Sequence, residues 1–224
     1  MNCDTSLKHY TYTSIIKVNY SEDLEFCDCE DSCSAVYNEK LVLESDCPNS
    51  SLNQLCHFKN CDNEKCKNRI PNRFQVKLRK RSTTNKGNGL FAKFEIQNGE
   101  IVCEYHGKIL TKAQYKAKRK KFKLKGLVNG VGSCEYIMEL GNGKFVDAEA
   151  SKGSVHARFI NHQCKSFNCK VEKFVDENDD VRLVVRAVRL IEIGEEVSYC
   201  YNINMIDFRF RDGCKCSDCV VSIP

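Results

Sequence analysis

Sixteen cysteines in 224 residues constrain this chain more than any other feature, because they are clustered. Seven fall within residues 27–66, as Cys27-x-Cys29-x3-Cys33 and then Cys47-x8-Cys56-x4-Cys61-x4-Cys66; three more sit near the C-terminus as Cys214-x-Cys216-x2-Cys219. The opening residues carry neither the apolar h-region nor the small-residue cleavage site of a secretory signal. A reducing compartment is therefore expected, where clustered thiols favour metal binding or catalysis over disulfides. Residues 26–70 are rich in Asn, Asp and Ser and poor in periodicity, and such a segment needs staples to fold. Tetrahedral zinc suits paired thiolates separated by loops of varied length, since it brings no d-electron geometry of its own. Seven thiolates cannot fill two separate four-cysteine sites, so two zincs would share one bridging sulfur. The alternative, buried cysteines acting as small hydrophobes, fits poorly where there is no core to bury them. The tail trio leaves a metal one ligand short. Either a distant residue completes a structural site or water completes a catalytic one. The absence of an HExxH or HxE…CxxC pattern favours the structural alternative. Cys3, Cys103, Cys134, Cys169 and Cys200 lack ligand spacing and read as packed thiols.

From residue 74 onward the pattern changes to short strand-like runs: FQVKLRK, GLFAK, EIVCEYHG, EYIMEL, GKFVDAE, NCKVEKFV and VRLVVRAVRL. Turn formers separate them, among them Asn98-Gly99, Gly141-Asn142-Gly143 and the acidic 176–180 stretch. One helix is expected over 111–123. Residues 1–25 read as a polar lead-in with a β-prone run at 10–20. No stretch approaches the roughly 20 apolar residues of a membrane helix. A charged fraction of 29% and a net charge of +5 leave a nucleic-acid partner open without requiring one. Placement of the charge says more: Lys112, Lys116, Lys118, Arg119, Lys120, Lys121, Lys123 and Lys125 form a stretch without an acidic residue. Such a run is ordinarily a solvated helix face. With Lys77, Arg79, Lys80 and Arg81 also clustered, contact with DNA phosphates is expected, and Lys118-Arg119-Lys120-Lys121 equally suits a nuclear import signal.

Four segments then follow in order: Lys86-Gly87-Asn88-Gly89-Leu90, Glu135-Tyr136, Arg158-Phe159-Ile160-Asn161-His162-Gln163-Cys164, and Gly194-Glu195-Glu196-Val197-Ser198-Tyr199-Cys200-Tyr201. Together they resemble the SET domain of histone lysine methyltransferases. The seven-cysteine segment resembles the AWS (associated-with-SET) zinc module and the tail a post-SET segment. The resemblance covers about residues 26 to 219. It implies a mostly-β SET-domain fold of short sheets with a knot-like crossing, flanked by zinc-bound cysteine modules. The implied division is a lead-in (1–25), an AWS-like module (26–70), a SET domain (71–203) and a post-SET zinc segment (204–224).

The same resemblance implies S-adenosylmethionine as cofactor and about three zinc ions. Lys86, Gly87, Asn88 and Gly89 match the loop that passes the cofactor with its backbone, where glycine permits close approach; Tyr105, Tyr136, Arg158, Asn161 and His162 complete the implied cofactor set. Tyr105 reads almost equally well as a core tyrosine. Tyr201 and Tyr136 match the tyrosines of a lysine channel, with Tyr199 implied beside them. In the family the third cysteine bridges the paired zincs. Cys33 would bridge here, with Cys27, Cys29 and Cys47 on one metal and Cys56, Cys61 and Cys66 on the other. Cys164 matches the fourth ligand for Cys214, Cys216 and Cys219. Three features depart from the family pattern. NHQCKSFNC has Gln163 in place of Ser, no proline and one extra residue; the tail spacing is two residues shorter; and Asn88 replaces a bulky aromatic.

A free lysine has a pKa near ~10.4, so about one in ~10³ is neutral at pH 7. Desolvation in an aromatic channel disfavours the ammonium, and no dedicated base is needed. The implied substrate is a histone tail within a nucleosome, most typically histone H3 lysine 36 for AWS-type proteins, with mono- or dimethylation and a location in the nucleus on the chromosome. The competing expectation is a catalytically weak or inactive SET-like module that binds chromatin.

Overall fold

The computed structural model describes residues 35–57, 60–63, 66–71, 77–129, 136–150, 157–176, 178–201 and 214–220, with the backbone alone at 123–129, 150 and 220. The expectations for the 1–25 lead-in and for Cys27, Cys29 and Cys33 lie outside these residues. The fold is mostly β, as the strand-like runs require. Among the described residues no helix is long and apolar enough to cross a membrane.

In chain order, β1 (Ala35–Tyr37) and β2 (Leu43–Ser45) form a hairpin, followed by the short α1 (Pro48–Ser51). A second hairpin joins β3 (Leu78–Ser82) to β4 (Asn88–Ala92). β5 is Ile101–Glu104, β6 Lys108–Thr111, α2 Lys112–Asn129, β7 Ile137–Gly141 and β8 Lys144–Asp147. Then come β9 (Asn161–His162), β10 (Cys169–Val175), β11 (Val181–Ala187), β12 (Ser198–Tyr199) and α3 (Ser217–Val220). The largest sheet runs in the order β5-β11-β10-β12-β9, and β6-β8-β7 forms a three-stranded one. β11 has neighbours on both sides and buries Leu183, Val184 and Val185. That explains its near-continuous apolar sequence.

α2 extends further than the expected 111–123, to Asn129. No proline interrupts the stretch, and an isolated glycine such as Gly126 costs only about 1 kcal/mol in a helix. Its start is a reciprocal capping box: the Gln114 amide donates to Thr111 Oγ1 at 3.3 Å while the Thr111 amide donates to Gln114 Oε1 at 2.9 Å. The helix lies on β8 through Tyr115, whose ring stacks on Phe145 at 4.1 Å, and through Lys118, which pairs with Asp147 and Glu149.

One buried arginine ties the cysteine-rich segment to the large sheet. Arg186 of β11 has no exposed surface, and it donates to Gly99 O at 2.7 Å and Asn68 Oδ1 at 2.8 Å. It also pairs with Glu172 at 3.3 Å and lies 4.8 Å from the Phe174 ring. A buried charge with this many partners is tolerable, whereas one that lost them would be strongly destabilising. Gly99 secures the same junction. Its φ of +79° and the position of its missing Cβ, 1.4 Å from Ala35 O, mean that only glycine lets β1 lie there.

Candidate active site

The crossing of three strands assembles the site. β12 lies between β9 and β10 and pairs with both in parallel, Ser198 with Asn161, Tyr199 with His162, and Tyr199 again with Cys169. The connection from β9 to β10 must therefore step across β12, so three segments distant in the chain meet here. Asn168 pins this step. It is almost wholly buried and uses its side chain fully, accepting from Ser198 N at 2.8 Å and donating to Glu195 Oε1 at 2.8 Å and Glu196 O at 2.9 Å.

The crossing brings Asn161 and His162 beside Tyr199 and Tyr201. The Tyr201 ring lies 4.8 Å from Tyr199 and 5.2 Å from His162. Its hydroxyl donates to Ile160 O at 2.5 Å, and its backbone amide donates to His162 Nδ1 at 3.0 Å. His162 Nε2 in turn lies 3.0 Å from Cys164 Sγ. Burial holds the imidazole down at about 4, so it is neutral at physiological pH.

A second group of contacts joins the glycine-containing loop to β9. Asn161 Nδ2 donates to Glu196 Oε1 at 2.7 Å and to Asn88 O at 3.2 Å, and Lys86 pairs with Glu196 Oε2 at 2.8 Å. A Cβ on Gly89 would stand 2.6 Å from Glu196 Oε1 and 3.1 Å from Asn161 Nδ2. Arg158 donates to the carbonyls of Ala148 and Glu149 at 2.9 and 2.8 Å, with its guanidinium 5.7 Å from the half-buried Tyr136 ring. Its Nε is buried without a hydrogen-bond partner among the described residues. Lys86, Asn88, Gly89 and Asn161 are thus gathered around Glu196, with His162 next to Asn161 on β9, while Arg158 and Tyr136 form a separate contact beside Ala148 and Glu149. Tyr105 packs at 2% exposure in the same core cluster as Tyr199 and Tyr201 and donates its amide to Leu183 O.

Two thiol clusters flank the site. Cys164 Sγ lies 3.8 Å from Cys214 Sγ and 3.6 Å from Cys219 Sγ, and Cys216 shares a grouping with Cys164, Cys214 and His162 in which all ligand atoms fall within 4.8 Å. A tetrahedral zinc with Zn–S bonds of about 2.3 Å separates its sulfurs by about 3.8 Å, and the separations of Cys164 from Cys214 and from Cys219 match that value. His162 could ligate by type. Its 3.0 Å contact with Cys164 is shorter than two ligands of one such ion require, and reads as a hydrogen bond to the sulfur. The tail reaches Cys164 because α3 is held by the unusual 163–168 loop. Asp218 accepts from the amides of Lys165 and Ser166 at 2.7 and 3.1 Å, and Gln163 Nε2 donates to Ser217 Oγ at 2.7 Å. The departures of NHQCKSFNC from the family pattern are therefore contacts for the tail.

In the other cluster Cys47, Cys56, Cys61 and Cys66 are all buried, with Cys47 and Cys56 3.5 Å apart and Cys56, Cys61 and Cys66 grouped within 4.8 Å. Hydrogen bonding from Cys47, then Cys66, drives the Cys56 thiol down to about 2 against its burial, and the Asn49 and Asn68 amides add to this from 3.5 and 3.4 Å. A sulfur so favoured as thiolate suits a cation. Burial pushes Cys103 up to about 12 and raises Cys169, and it raises Cys214 to about 12 as well; what sets Cys103 and Cys169 apart is that neither belongs to a group of potential ligands among the described residues.

The sequence resembles those of known proteins. The SET domain family model matches residues 87–202. The chain is 34% identical over 192 residues to "Histone-lysine N-methyltransferase mes-4" of Caenorhabditis elegans, covering 80% of this chain and 20% of that protein. It is 31% identical to "Histone-lysine N-methyltransferase, H3 lysine-36 specific" of Coccidioides immitis, over 84% of this chain and 18% of that protein. With "Histone-lysine N-methyltransferase ash1" of Drosophila melanogaster the identity is 29%, over 85% and 8%. The chain belongs to the SET-domain family. It spans about a fifth or less of the length of these relatives.

Proposed function

We propose that this chain is an S-adenosylmethionine-dependent protein lysine methyltransferase acting on a histone, with histone H3 lysine 36 as its target. The supporting observation is the crossing itself: it puts Asn161 and His162 of β9 against Tyr199 and Tyr201, with the Tyr201 hydroxyl committed to Ile160 O. The name of the Coccidioides relative supports the choice of lysine 36.

The residues present fit the cofactor. Asn161, whose NH2 is turned to Glu196 and Asn88 so that its Oδ1 is left as an acceptor, and the Lys86 cation beside it offer a ligand both kinds of partner, and the orphaned Arg158 Nε is a further donor. When bound, the donor supplies a methyl group on a positive sulfonium. The protein's task is to present a neutral amine in line and keep water out. With its proton held by Ile160 O, the Tyr201 oxygen offers lone pairs toward the reacting centre, and Tyr199 beside it supplies a hydroxyl that orients the amine. Aromatic walls desolvate the lysine and lower its pKa, so no side-chain base is required.

On this reading the chain divides into an AWS-like module (26–70), a SET domain (71–203) and a post-SET segment (204–224). Two zincs sit in the first module, with Cys33 as the bridge, and one is held by Cys164, Cys214, Cys216 and Cys219. The tail metal then fixes one wall of the lysine channel. The substrate lies within a nucleosome, in the nucleus. The exposed lysines of α2 meet DNA phosphates, and Lys118 is removed from that set by its carboxylate partners. The test is methyl transfer to recombinant nucleosomes in which single lysines are replaced by arginine. Loss of product only with the lysine 36 replacement is expected. Product that survives that replacement would overturn the assignment, and failure to bind S-adenosylmethionine in calorimetry would overturn the enzyme reading itself.

A further inference from the structure

We propose that Glu196 is a positioning residue for the methyl donor: by fixing the Asn161 amide and the Lys86 ammonium together, it makes the pocket select the zwitterionic amino-acid end of the ligand. This rests on the methyltransferase reading above.

Glu196 pairs with Phe91 of β4 across an isolated bridge, and the flanking Val197 N–H is held by Leu90 O at 2.8 Å. The backbone is therefore fixed and the carboxylate points to the start of the hairpin. Its two oxygens are divided between two distant parts of the chain, Oε1 accepting from Asn161 and Oε2 pairing with Lys86. Space for the carboxylate exists only because residue 89 is glycine, since a Cβ there would stand 2.6 Å from Oε1.

The orientation of Asn161 follows. Its NH2 donates to two acceptors, Glu196 Oε1 and Asn88 O, so both amide hydrogens are committed. The opposite end, Oδ1, is left as the acceptor available to a ligand. Without a carboxylate at 196 the amide has less reason to keep that orientation, and a flipped amide would present hydrogens to a ligand ammonium. Lys86 has three ammonium donors, of which the salt bridge uses one, so it can also attract a carboxylate. An acceptor beside a cation, both held by one glutamate, matches an α-amino acid. It does not match a plain nucleoside. The Lys86–Glu196 pair is partly buried, with side chains 20% and 23% accessible. The consequence should appear in ligand affinity.

The experiment compares S-adenosylhomocysteine, which retains the amino-acid end, with 5′-methylthioadenosine, which lacks it. Binding is measured by calorimetry, with displacement for the weaker ligand, on the unmodified chain and on Glu196→Gln, Asn161→Ala and the double variant. Glu196→Gln is expected to weaken S-adenosylhomocysteine on the order of tenfold and to leave methylthioadenosine unchanged. The double variant should bind no more weakly than Asn161→Ala alone, because the two residues act as one unit. A thermal melt of the free variant confirms folding; if Glu196→Gln does not fold, Glu196→Asp, one methylene too short to reach, carries the same expectation. Equal weakening of both ligands, or of neither, overturns the proposal while leaving the enzyme reading intact. Failure of the unmodified chain to bind either ligand overturns both.

Discussion

The backbone amide of Tyr201 donates to Nδ1 of His162 at 3.0 Å. A ring nitrogen that accepts cannot also carry the hydrogen in the neutral imidazole, so the hydrogen lies on Nε2, 3.0 Å from Cys164 Sγ. One side chain thus spans from a proposed zinc ligand to the proposed catalytic tyrosine. A side chain that hydrogen-bonds a metal ligand transmits that ligand's position to its own surroundings.

Cys164→Ser should therefore lower the zinc content by one, from about three to about two per chain, and abolish methyl transfer. The loss of activity follows because the tail would lose its metal link to Cys164 and His162, which holds the Tyr201 amide, would lose its sulfur partner. Metal analysis of the purified variant is the check, and an unchanged zinc content would exclude Cys164 as a ligand.

Asn168→Ala should be among the most destabilising single changes in the chain. It strips partners from the Ser198 amide and the Glu196 carbonyl at the centre of the crossing. Leaving such buried groups unpaired costs about 2–4 kcal/mol in total. Urea unfolding should show a lower midpoint at an unchanged m-value. A midpoint within error of the parent would mean that water or relaxation replaces the asparagine.

Most strands, the tail cysteines and the grouping of Cys47, Cys56, Cys61 and Cys66 were legible in the sequence, because alternation and ligand spacing are local signals. The gathering of Cys164 with Cys214, Cys216 and Cys219 was legible only through resemblance, since about fifty residues separate the first two. Asn168 and Glu196 were missed: one Asn and one Glu in a polar sequence carry no periodic signal, and their partners lie far away in the chain. Gly99 was read as a turn glycine, correctly, but its second duty of admitting β1 depends on a contact from residue 35. The pairing of Lys118 with Asp147 and Glu149 was equally invisible, because a charge run does not reveal which of its members is engaged.

That pairing changes which lysines to test for DNA binding. Lys112, Lys116, Lys120 and Lys121 are exposed on α2, whereas Lys118 anchors the helix to β8. Replacing those four by alanine while keeping Lys118 should lower activity on nucleosomes and spare a histone peptide. The salt dependence of nucleosome binding should also become shallower, by roughly 0.9 in log–log slope for each phosphate that is no longer neutralised. Equal loss on peptide and nucleosome would instead assign the stretch a structural role.

The number of methyl groups added should depend on Tyr199. Its ring centroid lies 4.8 Å from that of Tyr201 at an angle of 43°, in the same buried cluster, and under the proposed function its hydroxyl shares the lysine channel. A hydroxyl there can bond the amine or an ordered water and hold the amine in one orientation. After one transfer the methylated amine must rotate and displace that water, and displacing a well-held water without replacing its bonds is unfavourable. The unmodified chain should accordingly stop at mono- or dimethyl-lysine. Tyr199→Phe should raise the product state, while Tyr201→Phe should severely impair turnover, because it removes the oxygen held by Ile160. Mass spectrometry of products after exhaustive reaction separates these outcomes. Abundant trimethyl-lysine from the unmodified chain, or an identical product distribution from Tyr199→Phe, would show that the hydroxyl faces the core and has no part in the channel.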